Sequence, residues 1–286
     1  MKKGGIVCIV SVVLLSFGIY NPVFSVKSKS SISNNNRSIS KPLANVKWHW
    51  MDDFNPSEVT QIKRWLATVN KAVFQTLGQY PFDLHYYIHR SQRGEEPVPW
   101  AHTTRGSKQG VHFHINMNYS LEEFLADWTA QHEISHLSIP FVGSENAWFS
   151  EGYATYMQNQ VMQSQGIYTE AQVAEKYAER VGKCKSSYQT QLPFPLAADS
   201  LKKAWNYPDL YWGGVSFFWK LDKEYQKQYG KTLNEVITKF TAKGRVNDTT
   251  PKNFCKELDT ITNTTLASDL LVQYNTQPAY LIFEDM

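Results

Sequence analysis

Long hydrophobic runs are all but missing from this chain of 286 residues. The longest, Ile6 to Tyr20, is 15 residues, short of the roughly 20 apolar residues that a bilayer-spanning helix needs. No segment is therefore long enough to read as a full bilayer-spanning helix. A one-sided charge is also lacking, since 29 Lys and Arg face 26 Asp and Glu. Lys2 and Lys3 account for most of the formal +3, so nothing in the charge points to nucleic acid or an anionic surface as a partner. Cysteine is scarce, with three in the chain, which excludes a disulfide-dense scaffold. There are no internal repeats.

The first segment has the order of a secretory signal. Lys2 and Lys3 come first, then the apolar run, then Val23-Phe24-Ser25 with small residues at alternate positions. This predicts a signal peptide over residues 1–25, cut after Ser25, and an exported, periplasmic or secreted product. An uncleaved anchor is the alternative. No Leu-x-x-Cys precedes Cys8, so lipid attachment is not expected. Residues 26–45 are rich in Ser, Asn and Lys and too poor in apolar groups to offset the entropy of ordering; they are expected to be a disordered tether. The remaining residues 46–286 suffice for one catalytic-sized domain. Cys184 and Cys255 remain as a pair. They either bridge, closing a loop that the chain-entropy model values at roughly 4 kcal/mol, or are two unrelated buried thiols.

Aromatic residues make up 14% of the chain, enough for a core and a groove. Residues 56–77 place Ile62, Trp65, Leu66, Val69 and Val73 at helical spacing. Residues 82–89 and 111–118 alternate as half-buried strands, and a short strand is expected over 98–104. His85 and His89 share the polar face of the first strand, His112 and His114 that of the second. Such histidines can chelate a metal, although a solvated or groove-lining face is the simpler expectation. From Ser120 onward helical patterns dominate. The pattern predicts an α+β fold, with a sheet lobe over about 46–140 and a helical lobe over about 141–286.

Ser120-Leu-Glu-Glu123 is a capping box. The helix it starts carries Leu121, Phe124, Leu125 and Trp128 on one stripe, which continues by helical steps to His132 and His136. The sequence there is His132-Glu133-Ile134-Ser135-His136. Histidines four apart project from one helical face and form a two-toothed claw for one ion. Glu133 sits at the edge of that face, able to reach a water on the metal without being a ligand. The bare pattern arises by chance in roughly 1% of chains of this length, so its weight rests on the residues downstream. Pro140 stops the helix, Gly143-Ser144 turns the chain, and a second helix opens with Ala147-Trp148-Phe149-Ser150-Glu151-Gly152. A catalytic zinc takes three protein ligands and keeps one position open. His132, His136 and Glu151 supply that set, and the apolar setting of Glu151 argues against a solvated surface carboxylate.

These segments resemble the gluzincin zinc metallopeptidases, in particular the catalytic domains of the aminopeptidase N and glycyl aminopeptidase groups. Those proteins carry His-Glu-x-x-His and then a Trp-x-x-Glu-Gly-x-Ala-x-Tyr-like segment that supplies the glutamate ligand. Here the second segment is Trp148-Phe-Ser-Glu151-Gly152-Tyr-Ala154-Thr-Tyr156. Ser150 stands where the family often has Asn, and the gap from His136 to Glu151 is shorter than in aminopeptidase N relatives. Tyr211-Trp212-Gly213 matches a family Tyr-x-Gly motif at the head of a later helix, with Tyr207 as the competing tyrosine.

The resemblance implies a thermolysin-like zincin with one Zn²⁺ per chain. His132, His136 and Glu151 would hold the metal, Glu133 would act as general base, and Tyr211 would stabilise an oxyanion. It also implies a peptide or protein substrate paired to an edge strand, for which Val98 to Thr103 is in the corresponding place. Thr155, one turn after Glu151, is a candidate to orient a ligand. The family's Gly-x-Met-x-Glu signature, which grips a free amino terminus, is absent, and neither Glu95 nor Glu96 is singled out to replace it. The competing reading is a peptide- or partner-binding module that keeps the fold without turnover. The presence of Glu133 counts against it, because holding a metal does not need that residue.

Overall fold

The computed structural model describes residues 45–284. The expected signal segment, its cut after Ser25 and all but the last residue of the expected tether lie outside the described residues. The first described element is a strand that the sequence reading passed over: β1, Val46–Trp50. It is short and starts directly after the Ser/Asn-rich stretch, but Val46, Trp48 and Trp50 alternate with Lys47 and His49 as a half-buried strand should.

The sheet follows the predicted alternation. β2 is Leu84–Arg90, β3 is Trp100–Thr104 and β4 is Gln109–Ile115. Their order is β1-β2-β4-β3, with β1, β2 and β4 parallel and β3 antiparallel to β4. The strand expected at an edge, β3, is at an edge. Leu84, Tyr86, Ile88, Val111, Phe113 and Ile115 are fully buried on one face. Helix α1, Pro56–Leu77, covers that face; Asn55 and Glu58 form a capping box at its start. Trp65 of α1 meets the Phe113 ring edge-on at 5.4 Å, and burying rings of this size dominates core energetics.

The helix expected to run unbroken from Ser120 through His136 is two helices: α2, Leu121–Ala126, and α3, Thr129–His136. The break falls at Asp127. Its backbone is extended (ψ 139°), and its carboxylate accepts the Thr129 N–H at 2.8 Å. Asp is a good partner for free N–H groups at a helix start, so the side chain restarts the helix on a new axis. All eight residues of α3 are buried. It ends ahead of Pro140, as expected.

Helix α4, Ala147–Ser164, is buried almost all round, the mark of a central helix. It packs between α3 and a long helix, α7, Tyr207–Tyr229. Between them come α5, Glu170–Cys184, and α6, Phe194–Lys203. The chain closes with α8, Leu233–Ala242, α9, Pro251–Thr262, α10, Leu266–Thr276, and α11, Ala279–Ile282. A small sheet is thus followed by a helical remainder, the predicted α+β arrangement. Among the described residues no helix is long and apolar enough to cross a membrane.

Two glycines set the distance between α4 and α7. A Cβ on Gly152 would run into the backbone of Gly214, and a Cβ on Gly214 into the carbonyl of Trp148. Cys184 and Cys255 are free and buried. They lie on α5 and α9, which pack against different neighbours, so the open question of a bridge resolves to two separate thiols.

Candidate metal centre

The site forms where α3, α4 and α7 meet. His132 and His136 leave α3 one turn apart on the same face, and their rings stand at 84° to each other with centroids 4.8 Å apart. Glu151, on the first turns of α4, returns over them. Its Oε2 lies 3.2 Å from His132 Nε2 and 3.5 Å from His136 Nε2. One carboxylate oxygen thus faces two imidazole nitrogens at once. Two ligands held at about 2.1 Å by a tetrahedral ion stand about 3.4 Å apart, so the three atoms have the spacing of a shared metal. All three side chains are buried, and among the described residues they are the one group of three whose ligand atoms converge in this way. The other carboxylate oxygen, Oε1, is buried without a hydrogen-bond partner. A metal ion held by the group would give it a partner, as buried polar atoms ordinarily have.

The electrostatics of the site push its groups apart. Burial pushes the Glu151 carboxyl up, but the imidazoles of His136 and His132 outweigh it and hold the group well below the usual carboxylate range. Burial keeps His136 below the ordinary histidine range. Burial acts on His132 in the same direction, but its bond to Glu151 reverses the outcome. Glu133 goes the other way: burial, with some opposition from His132 and help from the Glu151 charge, raises it to about 7. Two carboxyls beside the same imidazoles, Glu133 on α3 and Glu151 on α4, are therefore shifted in opposite directions by their surroundings.

Tyr211, on the second turn of α7, closes the site. Its ring stacks on His132 with centroids 5.9 Å apart. Its hydroxyl is buried and has no hydrogen-bond partner. Burial and the charges of Glu151 and Glu133 keep it protonated, well above the ordinary phenol range. Tyr207, the competing tyrosine, stands one turn earlier, 6.3 Å from the Tyr211 ring and not against His132. Exposed Trp205 meets Tyr207 at 6.0 Å. Trp205, Tyr207, Tyr211 and His132 therefore form a run of ring contacts from solvent to the candidate metal ligands.

Four supports carry no signal that the sequence reading picked up. Gln158 Oε1 lies 3.2 Å from His132 Nδ1 and is placed to accept its N–H, which holds the ring in orientation and leaves Nε2 as the nitrogen that faces the site. Its signal was present, because 151, 155 and 158 share one helical face. The hydroxyl of Thr155, the residue expected to orient a ligand, has no partner. Arg105, from the β3–β4 turn, donates to the carbonyls of His136 at 2.5 Å and Ile139 at 2.8 Å; a cation there answers the negative end of α3. Tyr80 donates to the Ile134 carbonyl at 2.8 Å, and Tyr153 of α4 bonds Ser138 just beyond α3. These last two come from turns and helix ends far apart in sequence and carry no local pattern. Glu96, just ahead of β3, has one buried carboxylate oxygen without a partner, and its charge acts on Asp127.

No protein-family model matches the chain, and no curated protein sequence matches it. Solved structures do. An aminopeptidase N family protein from Idiomarina loihiensis superposes with a TM-score of 0.51 at 15% identity, over 82% of this chain and 44% of that one. An M1 zinc metallopeptidase from Deinococcus radiodurans superposes with a TM-score of 0.50 at 13% identity, over 82% of this chain and 49% of the other. The chain spans less than half the length of these proteins. In fold, this chain is similar to the M1 zinc metallopeptidases of the aminopeptidase N family.

Proposed function

We propose that the chain is a zinc-dependent peptidase that hydrolyses peptide bonds with Glu133 as general base. The observation that carries this reading is the convergence of His132 Nε2, His136 Nε2 and Glu151 Oε2. Two imidazoles and a carboxylate are a catalytic zinc ligand set. One zinc per chain, when bound, supplies a Lewis acid and acidifies a water at the open position.

The chain's own residues do the rest. Gln158 holds the His132 ring in orientation. Glu133, poised near neutrality, takes a proton from the attacking water and passes it to the leaving amine. Tyr211, kept protonated by its surroundings, offers its hydroxyl to the oxygen that gains charge as the carbonyl is attacked. The free edge of β3, which packs beside α3, suits an extended peptide that adds as a further strand. Exposed Trp205 and half-buried Tyr207 suit a wall for a substrate side chain. The amino-terminal pattern of residues 1–25 supports work outside the cytoplasm.

Elemental analysis of the purified protein, followed by mass spectrometry of products from an unbiased peptide library, tests the reading. Stoichiometric zinc and defined cleavage products are expected. Stoichiometric zinc without products would instead support a binding module. Products from the free amino end alone would identify an aminopeptidase, and internal cuts an endopeptidase.

A further inference from the structure

The chain has eight histidines. Two are in the metal centre. The other six, His49, His85, His89, His102, His112 and His114, all lie on one face of the sheet, opposite the face that α1 covers. Strand alternation puts them there: His85, His112 and His114 are each flanked by buried apolar neighbours, and the register sets His89 beside His114 and His102 beside His112. All six are half-buried. A plain solvated face has no reason to gather imidazoles, which repel one another once charged.

We propose that this face binds a late first-row divalent cation, of the Cu²⁺ or Ni²⁺ type, through His89 Nε2 and His112 Nδ1. These nitrogens lie 3.0 Å apart, joined by a hydrogen bond in which one ring's N–H meets the other ring's lone pair. A change of tautomer in the donor ring turns two lone pairs toward one point at a separation that a shared ion spans, and imidazole pairs favour Cu²⁺ and Ni²⁺ among the late first-row divalent ions. Stacked rings hold both imidazoles in place: Tyr87 and His102 lie 4.2 and 4.6 Å from His112, and His114 lies 4.3 Å from His89. A second hydrogen-bonded pair, His49 Nε2 and His85 Nδ1 at 2.9 Å, lies at the β1 edge, but the charges of Lys108 and Lys47, only partly offset by Asp83, act on His85 and oppose a cation there. His102 Nδ1 is buried without a partner, one ring away from His112.

Metal binding needs neutral imidazole. Burial, then the neighbouring histidines, brings His112 and His114 down to about 4, and burial lowers His89 and His102. The charged groups facing this cluster are Asp52, whose carboxylate favours the charged form of His89 and His114, and His49, which opposes that of His112. At neutral pH the rings are uncharged, and a change of tautomer releases the lone pair that the His89–His112 hydrogen bond occupies. With two protein ligands and solvent for the rest, affinity should be micromolar, far below that of the three-ligand centre. The inference does not depend on the chain being a peptidase.

The test is a titration of zinc-loaded protein with copper(II) chloride at neutral pH, followed by electron paramagnetic resonance and by zinc analysis of the filtrate. One copper per chain should bind with nitrogen hyperfine structure while the zinc stays bound. His112→Asn and His89→Asn should each weaken it at least tenfold, and His132→Ala should leave it in place. Copper should also protect His89 and His112 of the wild-type protein from diethyl pyrocarbonate, read by peptide mass spectrometry, a measurement that needs no variant. Copper that enters only as zinc leaves, binding unchanged in both asparagine variants, or no protection of these two residues, would overturn the proposal.

Discussion

Gly152 of α4 lies so close to Gly214 of α7 that a methyl group on either would strike the other helix's backbone. Glu151 immediately precedes Gly152, and Tyr211 lies one turn before Gly214. The glycine contact therefore sets how near the tyrosine comes to the carboxylate. The Glu-Gly pair thus reads as a ligand followed by the gap that admits the helix above it.

Gly152→Ala should open this contact. Overpacking of this kind costs about 1–3 kcal/mol, and here it also lifts Tyr211 away from His132. A lower unfolding midpoint and a fall in kcat larger than any change in zinc content are expected, read by denaturant unfolding and steady-state kinetics. Gly182→Ala, on α5 with open space around its Cα, is the control; it should leave kcat unchanged and raise the midpoint slightly, because Ala is favoured over Gly inside a helix by about 0.5–1 kcal/mol.

Tyr211→Phe removes only the hydroxyl. If it meets charge that develops during the reaction, kcat should fall about 100- to 1,000-fold with little change in KM. Zinc content should be unaffected. Tyr207→Phe, one turn farther from the ligands, should reduce kcat less than tenfold.

Gln158→Ala frees His132 Nδ1 from its partner. Removing such a support costs about 10- to 100-fold in metal affinity. Competition with a chromogenic chelator measures it. Affinity equal to wild type would show that the ring is oriented by something else.

Asp127 should leave a signature in stability. Burial, opposed by the Thr129 N–H and helped by Glu96, raises its carboxyl to about 7, against an ordinary 3.8. The folded state therefore holds a proton that the unfolded state releases. That stabilising contribution is full below about 3.8 and is lost as pH rises to about 7. At about 1.4 kcal/mol per unit, the change is at most about 4 kcal/mol. Asp127→Asn keeps an acceptor for Thr129 but cannot ionise. The difference between wild type and variant in urea unfolding should therefore grow in the variant's favour between pH 4 and pH 7, whereas a constant difference would contradict the assignment.

Much of the site was legible because its ligands are local. His132 and His136 share one helical turn, and Glu151 comes after a short connection that Pro140 and Gly143 announce. Tyr211 was legible through its resemblance to a motif, and its ring does stack on His132. The bend at Asp127 was not legible, because an apolar stripe continues across it and only the side-chain bond to Thr129 reveals the restart. Arg105 and Tyr80 were beyond reach, since each meets α3 from a distant loop. On the sheet, single-strand alternation exposed two histidine pairs. Only the register joins them to His49 and His102 into one face.

The central claim is that one ion is held by His132, His136 and Glu151 while Glu133 moves the proton. Its most direct measurement is peptide hydrolysis by zinc-loaded Glu133→Gln beside wild type, with zinc counted in both. One zinc per chain is predicted in each, with turnover at least about 100-fold lower in the variant. Equal turnover, or a wild-type protein that retains no zinc, would contradict it.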